Sequence, residues 1–165
     1  AIINTPEGLI EDIDKRSLIK IKLEVDTSPP PGFSTEMNYV FNPLQYAVRT
    51  YSLPSLFAGK MHALLCRKWK SRVKGRDWYD FTWYISRYPK LNLNHLEERM
   101  RNSGHYTQKD PLSEMQVLDM LNNSIDELNI QSARDEVSPF VDHKSSLDIW
   151  SKEYFKEAAK RIEFV

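Results

Sequence analysis

Lys60 and Arg67 stand seven residues apart in the run GKMHALLCRKWK. On a helix that interval is almost two turns, so both cations share one face about 10 Å apart along the axis. Two cations so placed can grip one extended anion, and the small Ala63 between them leaves the face open to close approach. The plainer alternative is the solvated stripe of an amphipathic helix. Beyond Gly75 the segment RDWYDF sets Asp77 and Asp80 three residues apart near a helix start, where the helix dipole favours negative charge. Arg76 precedes Asp80 by four and suits an ion pair on the same helix. The acids therefore either cap and pair locally, or one of them holds Lys60 or Arg67 behind a phosphate site. Cations gathered for a polyphosphate repel one another and need nearby carboxylates to keep their geometry.

Asp26 is a third kind of candidate, a carboxylate at the end of a predicted strand with Glu24 on the same face. Carboxylates projecting from strand ends hold Mg²⁺ in metal-dependent phosphoryl transfer, but two-metal chemistry needs two or three that converge. A solvated strand edge is the competing reading. His62 and Cys66 are spaced i,i+4 on the same predicted helix as Lys60. Two ligands do not make a metal site by themselves, so packing is the expected role of that pair. Cys66 is the single cysteine, which excludes an intrachain disulfide and a cysteine-based zinc cluster.

Formal net charge is zero, yet the charges are unevenly spread. Residues 67–76 carry six basic side chains and no acid, leaving 17 basic against 23 acidic residues elsewhere. A local cationic patch suits a polyanion, either nucleotide phosphates or an RNA backbone. A solvated helix end complementing the dipole is the alternative. With 165 residues and 41% apolar composition the chain has enough material for a folded core. No stretch approaches the roughly 20 apolar residues of a membrane helix, and AIINTPEGLIED lacks the basic-then-apolar order of a signal peptide, so a cytoplasmic location without membrane contact is expected.

The elements that must position these residues can be read from periodicity. SLIKIKLEVDT, Ser17–Thr27, alternates with Ile19, Ile21, Leu23 and Val25 on one side, which predicts a half-buried strand ending at the turn TSPPPGF. TEMNYVF (Thr35–Phe41) and QYAVRTY (Gln45–Tyr51) predict two further strands. After Ser52 the period lengthens to that of a helix. A first helix with Pro54 in its opening turn is expected to run to about Lys70, with Phe57, Met61, Leu64 and Leu65 inward. A second covers Arg76–Ser86, with Trp78, Phe81, Thr82 and Ile85 on one side. Asn94 with Glu97 and Ser113 with Gln116 have capping-box spacing and predict the starts of a third and a fourth. Leu118, Leu121, Ile125 and Leu128 line the fourth, and shorter helices follow at Ile130–Glu136 and Ser151–Ile162. The fold class is α+β: a small antiparallel or mixed sheet over residues 1–51, then a mainly helical domain over 52–165.

The block LPSLFAGKMHALLCRKWKSRVKGRDWYDFTWY, residues 53–84, resembles the signature of the AbiEii/AbiGii nucleotidyltransferase toxin family, in which a K-x-x-A-x-x-x-R helix precedes an R-D-x-x-D helix. ARDEVSPFVDHKSSLDIW, residues 133–150, is similar to the family's C-terminal part. The resemblance implies a DNA polymerase β-like enzyme that uses Mg²⁺ to transfer nucleotides from an NTP, with tRNA or another RNA among the acceptors and a separate antitoxin protein opposing it. On the matching positions it implies Asp26 as a catalytic, metal-binding carboxylate, Lys60 and Arg67 as the triphosphate-facing pair, and Arg76, Asp77 and Asp80 in support. The family's upstream glycine-rich turn and Asp-x-Asp strand have no convincing counterpart here, and Asp12-Ile13-Asp14 reads as a loop coincidence. The chain is accordingly expected to be the C-terminal, truncated portion of such an enzyme, inactive alone. The rival expectation is a non-catalytic helical module whose basic segment 67–76, with Trp69, Trp78 and Tyr79, binds RNA or a partner protein.

Overall fold

A computed structural model describes residues 22–67 and 74–165. β1 (Thr35–Val40) and β2 (Tyr46–Tyr51) form an antiparallel hairpin, in register from Thr35 opposite Tyr51 to Val40 opposite Tyr46. Both segments are rich in Thr, Tyr and Val, side chains that suit a pleated surface. The strand expected over residues 17–27 is not borne out in its described part. Residues 17–21, like Asp12 and Asp14, lie outside the described residues, while Lys22–Thr27 forms no strand and exposes Leu23 and Val25 at 86% and 74%. Alternation sorts apolar side chains onto one face, but that face becomes a strand only where a core and a partner edge receive it.

Helices follow: α1 (Leu53–Cys66), α2 (Gly75–Arg87), α3 (Leu93–Asn102), α4 (Glu114–Glu127), α5 (Ile130–Val137) and α6 (Lys152–Ala159). Two short strands, β3 (Lys90–Leu91) and β4 (Glu163–Phe164), pair in parallel and tie the C-terminal end beside α3. The architecture is thus α+β, as expected, with a hairpin followed by six helices among the described residues. No described helix is long and apolar enough to cross a membrane.

The helix starts follow local capping chemistry. At α4 the expected capping box is present: Gln116 N–H donates to Ser113 Oγ at 3.2 Å, and Ser113 N–H donates to Gln116 Oε1 at 2.8 Å. α3 begins two residues earlier than expected, because Asn92 rather than Asn94 accepts the His95 N–H at 2.9 Å. Glu97 is instead engaged by the Arg101 guanidinium and the Leu112 N–H. α1 ends at Cys66 and Arg67 is its C-cap, so the helix is shorter than expected within the described residues.

The later helices each bury one apolar stripe, while α1 is buried on several sides. α1 lies against α3 and α2, α2 against α5 and α6, and α4 against α6. Phe57 of α1, Phe81 of α2 and Phe155 of α6 are fully buried. Phe57 stacks on Tyr84 with centroids 4.7 Å apart, and Phe155 meets Trp78 at 4.9 Å and Trp150 at 5.2 Å. Gly75 makes the α2–α5 crossing possible, since a Cβ there would sit 2.0 Å from the Ala133 carbonyl oxygen. Its N–H donates to Glu136, and Arg134 of α5 donates to the Asp148 carbonyl at 2.8 Å and to that of Trp150, binding the turn before α6.

Candidate functional site

On the side of α1 that faces α3, small residues recur at i, i+4 and i+8: Ser55, Gly59 and Ala63. With no side-chain bulk there, a cavity of about 260 Å³ opens beside the helix, lined by Tyr51, Lys60, Arg67, Asp77, His95 and Arg99 together with that small-residue strip. α1 supplies Lys60 and its C-cap supplies Arg67, whose N–H remains bonded to the Ala63 carbonyl at 3.3 Å and so stays on the same face. α2 supplies Asp77, and α3 supplies His95 and Arg99.

α2 packs across α1 so that Asp80 reaches Lys60, with Nζ and Oδ2 2.7 Å apart. This is the cross-helix support expected of one of the two acids. Arg76 places its guanidinium over the Phe140 ring, 3.8 Å from the centroid, rather than beside Asp80. Its site is the α2–α5 flank, away from the cavity lining. Asp77 is half-buried at the cavity wall, and burial raises its carboxyl above the usual range, opposed by Arg67, Lys74 and Lys60 and reinforced by Asp80. A carboxyl pushed toward neutrality in a cationic cleft is a feature of ligand sites.

The Arg99 Nε, like the Arg134 Nε on α5, is buried and has no hydrogen-bond partner among the described residues, but only Arg99 borders the cavity. The guanidinium lies over Gly59, where an added Cβ would come within 3.9 Å of it. Three cations, Lys60, Arg67 and Arg99, thus border one cavity and only Lys60 has a close ion pair described. Sequence reading missed Arg99, because in LEERMRN it looks like an ordinary basic residue of a helix's last turn. The i,i+4,i+8 strip of Ser55, Gly59 and Ala63 was the signal that could have flagged the open face.

His95 is 2% exposed and its Nδ1–H donates to the Pro31 carbonyl at 2.7 Å. Burial lowers its pKa, the Pro31 bond raising it in part. The bond anchors the segment that leads into β1. Gly32 in that segment has φ of +79°, and a Cβ would stand 2.9 Å from Asn94 Nδ2. Ser34 N–H donates to Ser55 Oγ at 3.0 Å, and Asn92 Nδ2 donates to the Gly32 carbonyl at 3.0 Å. The segment before β1 is therefore tied to both α1 and the start of α3.

Asp26 lies in the exposed segment before Pro29, and its Oδ1 accepts the Ser28 N–H at 3.0 Å. It is not among the residues lining the cavity. Glu24 pairs with Lys22. Among the described residues no group of three carboxylates converges, so Asp26 would need carboxylates besides Glu24 to hold Mg²⁺. Of the basic segment 67–76, residues 68–73 lie outside the described residues.

An α+β chain whose first long helix presents paired cations to a cavity, with acids braced behind them from the next helix, has the build of a nucleotide-handling protein. The family model of the nucleotidyl transferase AbiEii toxin, type IV toxin–antitoxin system, matches residues 4–161, and the chain belongs to that family. No curated protein and no solved structure shows a significant match. The family's substrates are nucleotides and its members typically need a divalent metal. Coverage over residues 4–161 lends no support to the expectation that the chain is a truncated, inactive portion.

Proposed function

We propose that this protein transfers nucleotides from an NTP to an RNA acceptor such as tRNA in a Mg²⁺-dependent reaction, and that a separate antitoxin protein opposes it. Lys60 and Arg67 hold the triphosphate, and Arg99 joins them. Asp80 keeps the Lys60 ammonium in place and Asp77 balances the cationic wall, with Arg76 fixing α2 against Phe140. Residues 1–51 contribute to the catalytic sheet and carry Asp26 as a metal ligand, while residues 52–165 form the helical domain that faces the triphosphate. The observation that carries this reading is the convergence of Lys60, Arg67 and Arg99 on one cavity, with the Arg99 Nε buried and unpaired. A buried donor without a partner costs about 1–3 kcal/mol, a cost that a phosphate oxygen would remove.

The chemistry assigned to these residues is electrostatic. A cationic wall fixed before the substrate arrives stabilises charge developing on the leaving pyrophosphate without having to reorganise. Incubation of the protein with Mg²⁺, each α-labelled NTP in turn and total tRNA is expected to label RNA. Lys60→Ala and Asp26→Ala are each expected to remove that label while leaving the thermal melt within a few degrees of wild type. RNA retention with no label from any NTP would instead make the basic segment 67–76 a binding surface and sink the enzymatic reading.

A further inference from the structure

Toward the C-terminal end of α1, close to Arg99 and Arg67, His62 and Cys66 meet a partner that their own helix does not supply. His105, in the turn after α3, brings a ring nitrogen to the pair, so that the ligand atoms of His62, Cys66 and His105 all lie within 4.8 Å of one another. A triangle with sides no longer than this has a point within about 2.8 Å of every corner. Zinc bonds run at roughly 2.0–2.1 Å to imidazole and 2.3 Å to thiolate, so closing the site asks each side chain to move by well under 1 Å.

We propose that His62, Cys66 and His105 form a binding site for zinc, separate in its donor set from any Mg²⁺ used by the transferase. Two imidazoles and a thiolate are a borderline-soft set that favours zinc over the oxygen-seeking Mg²⁺. The fourth position is open to water or to the Ser103 hydroxyl. That hydroxyl sits 2.9 Å from both His62 Nε2 and His105 Nδ1, and 3.2 Å from the Met100 carbonyl oxygen. The hydroxyl can donate to that carbonyl and accept from both imidazoles, so Ser103 already gathers the two rings around one point.

The geometry is built rather than incidental to a loose loop. Arg101 binds the turn that carries His105, donating to the Gln108 carbonyl at 2.6 Å and the Asp110 carbonyl at 3.1 Å. Its guanidinium also lies over the Tyr106 ring. The His105 and Tyr106 N–H groups both donate to the Met100 carbonyl, at 2.8 and 3.2 Å. Arg99 and Arg67 near His62 oppose a dication, and burial pushes the Cys66 thiol up to about 11, so zinc must displace its proton on binding. Zinc at this position would clip α1, which carries Lys60 and ends at Arg67, to the turn that follows the Arg99-bearing α3.

Tag-free full-length protein, reduced and stripped of metal, is titrated with Co²⁺ and then with Zn²⁺. The expected result is a thiolate-to-cobalt charge-transfer band at one equivalent, abolished by Zn²⁺, with a melting temperature higher by roughly 5 °C or more at about a hundredfold excess of Zn²⁺ over its Kd. His105→Ala, a change at an exposed position, should fold normally and weaken Co²⁺ binding at least tenfold, and Cys66→Ser should remove the band. A wild-type protein without the band, or a band unchanged in His105→Ala, would overturn the site. Neither result depends on transferase activity.

Discussion

Two faces of α2 make opposite uses of the same helix. Toward α5 and α6 it presents Trp78, Phe81 and Ile85 to a closed aromatic core, and Gly75 lets the neighbouring backbone come into contact. Toward α1 it presents Asp77 to a cavity bordered by Lys60, Arg67 and Arg99, and Asp80 to the Lys60 ammonium. The first face is optimised for packing. The second keeps a carboxyl raised above its ordinary range, a feature that weakens the folded state.

This contrast is broken most severely by Phe155→Ala. Its side chain fills the space between Trp78, Phe81, Trp150 and Tyr154. A loss of about 3–5 kcal/mol is expected from denaturant unfolding. Gly75→Ala should follow, on the order of 1–3 kcal/mol, because the added carbon forces α2 away from the Ala133 carbonyl. If either change left stability untouched, the packing face would not be the seat of stability.

On the cavity face the expectation reverses. The Lys60–Asp80 pair is substantially solvated, so Lys60→Ala should alter stability by only about 0.2–1 kcal/mol. Nucleotide transfer should fall by roughly 10²–10³. The smallest and most telling effect belongs to Asp77→Asn. Because the folded protein raises this carboxyl, ionisation opposes folding: the penalty is absent below the unfolded pKa and grows as pH rises through the folded value. The Asn variant should therefore melt a few degrees above wild type at pH 7, with the difference closing toward pH 4, while its transfer activity drops. An Asn variant less stable than wild type at pH 7 would return Asp77 to an ordinary structural role.

How far the site was legible in the chain depends on where each partner comes from. Lys60, Ala63 and Arg67 share a face because of helical spacing, and Asp77 and Asp80 sit at a helix start for reasons that Gly75 and the dipole already contain. That Asp80 rather than Asp77 meets Lys60 depends on how α2 crosses α1, which is set by side chains along the whole interface. Arg99 and His105 come from α3 and the turn behind it, and nothing in their own neighbourhoods marks them.

Local chemistry thus determined the hairpin strands, the helices and the Ser113 cap, since hydrogen bonds and apolar periods act within a few residues. It also determined the cation pair and the acids facing it, whose spacing is a property of one helix each. Only the tertiary structure decided that the alternating segment before Pro29 forms no strand in residues 22–27, that α3 starts at Asn92, and that Arg99 completes the cationic wall. It likewise decided that His105 joins His62 and Cys66. Each of these depends on a partner remote in sequence, and burial or pairing with such a partner overrides the preference of a short segment.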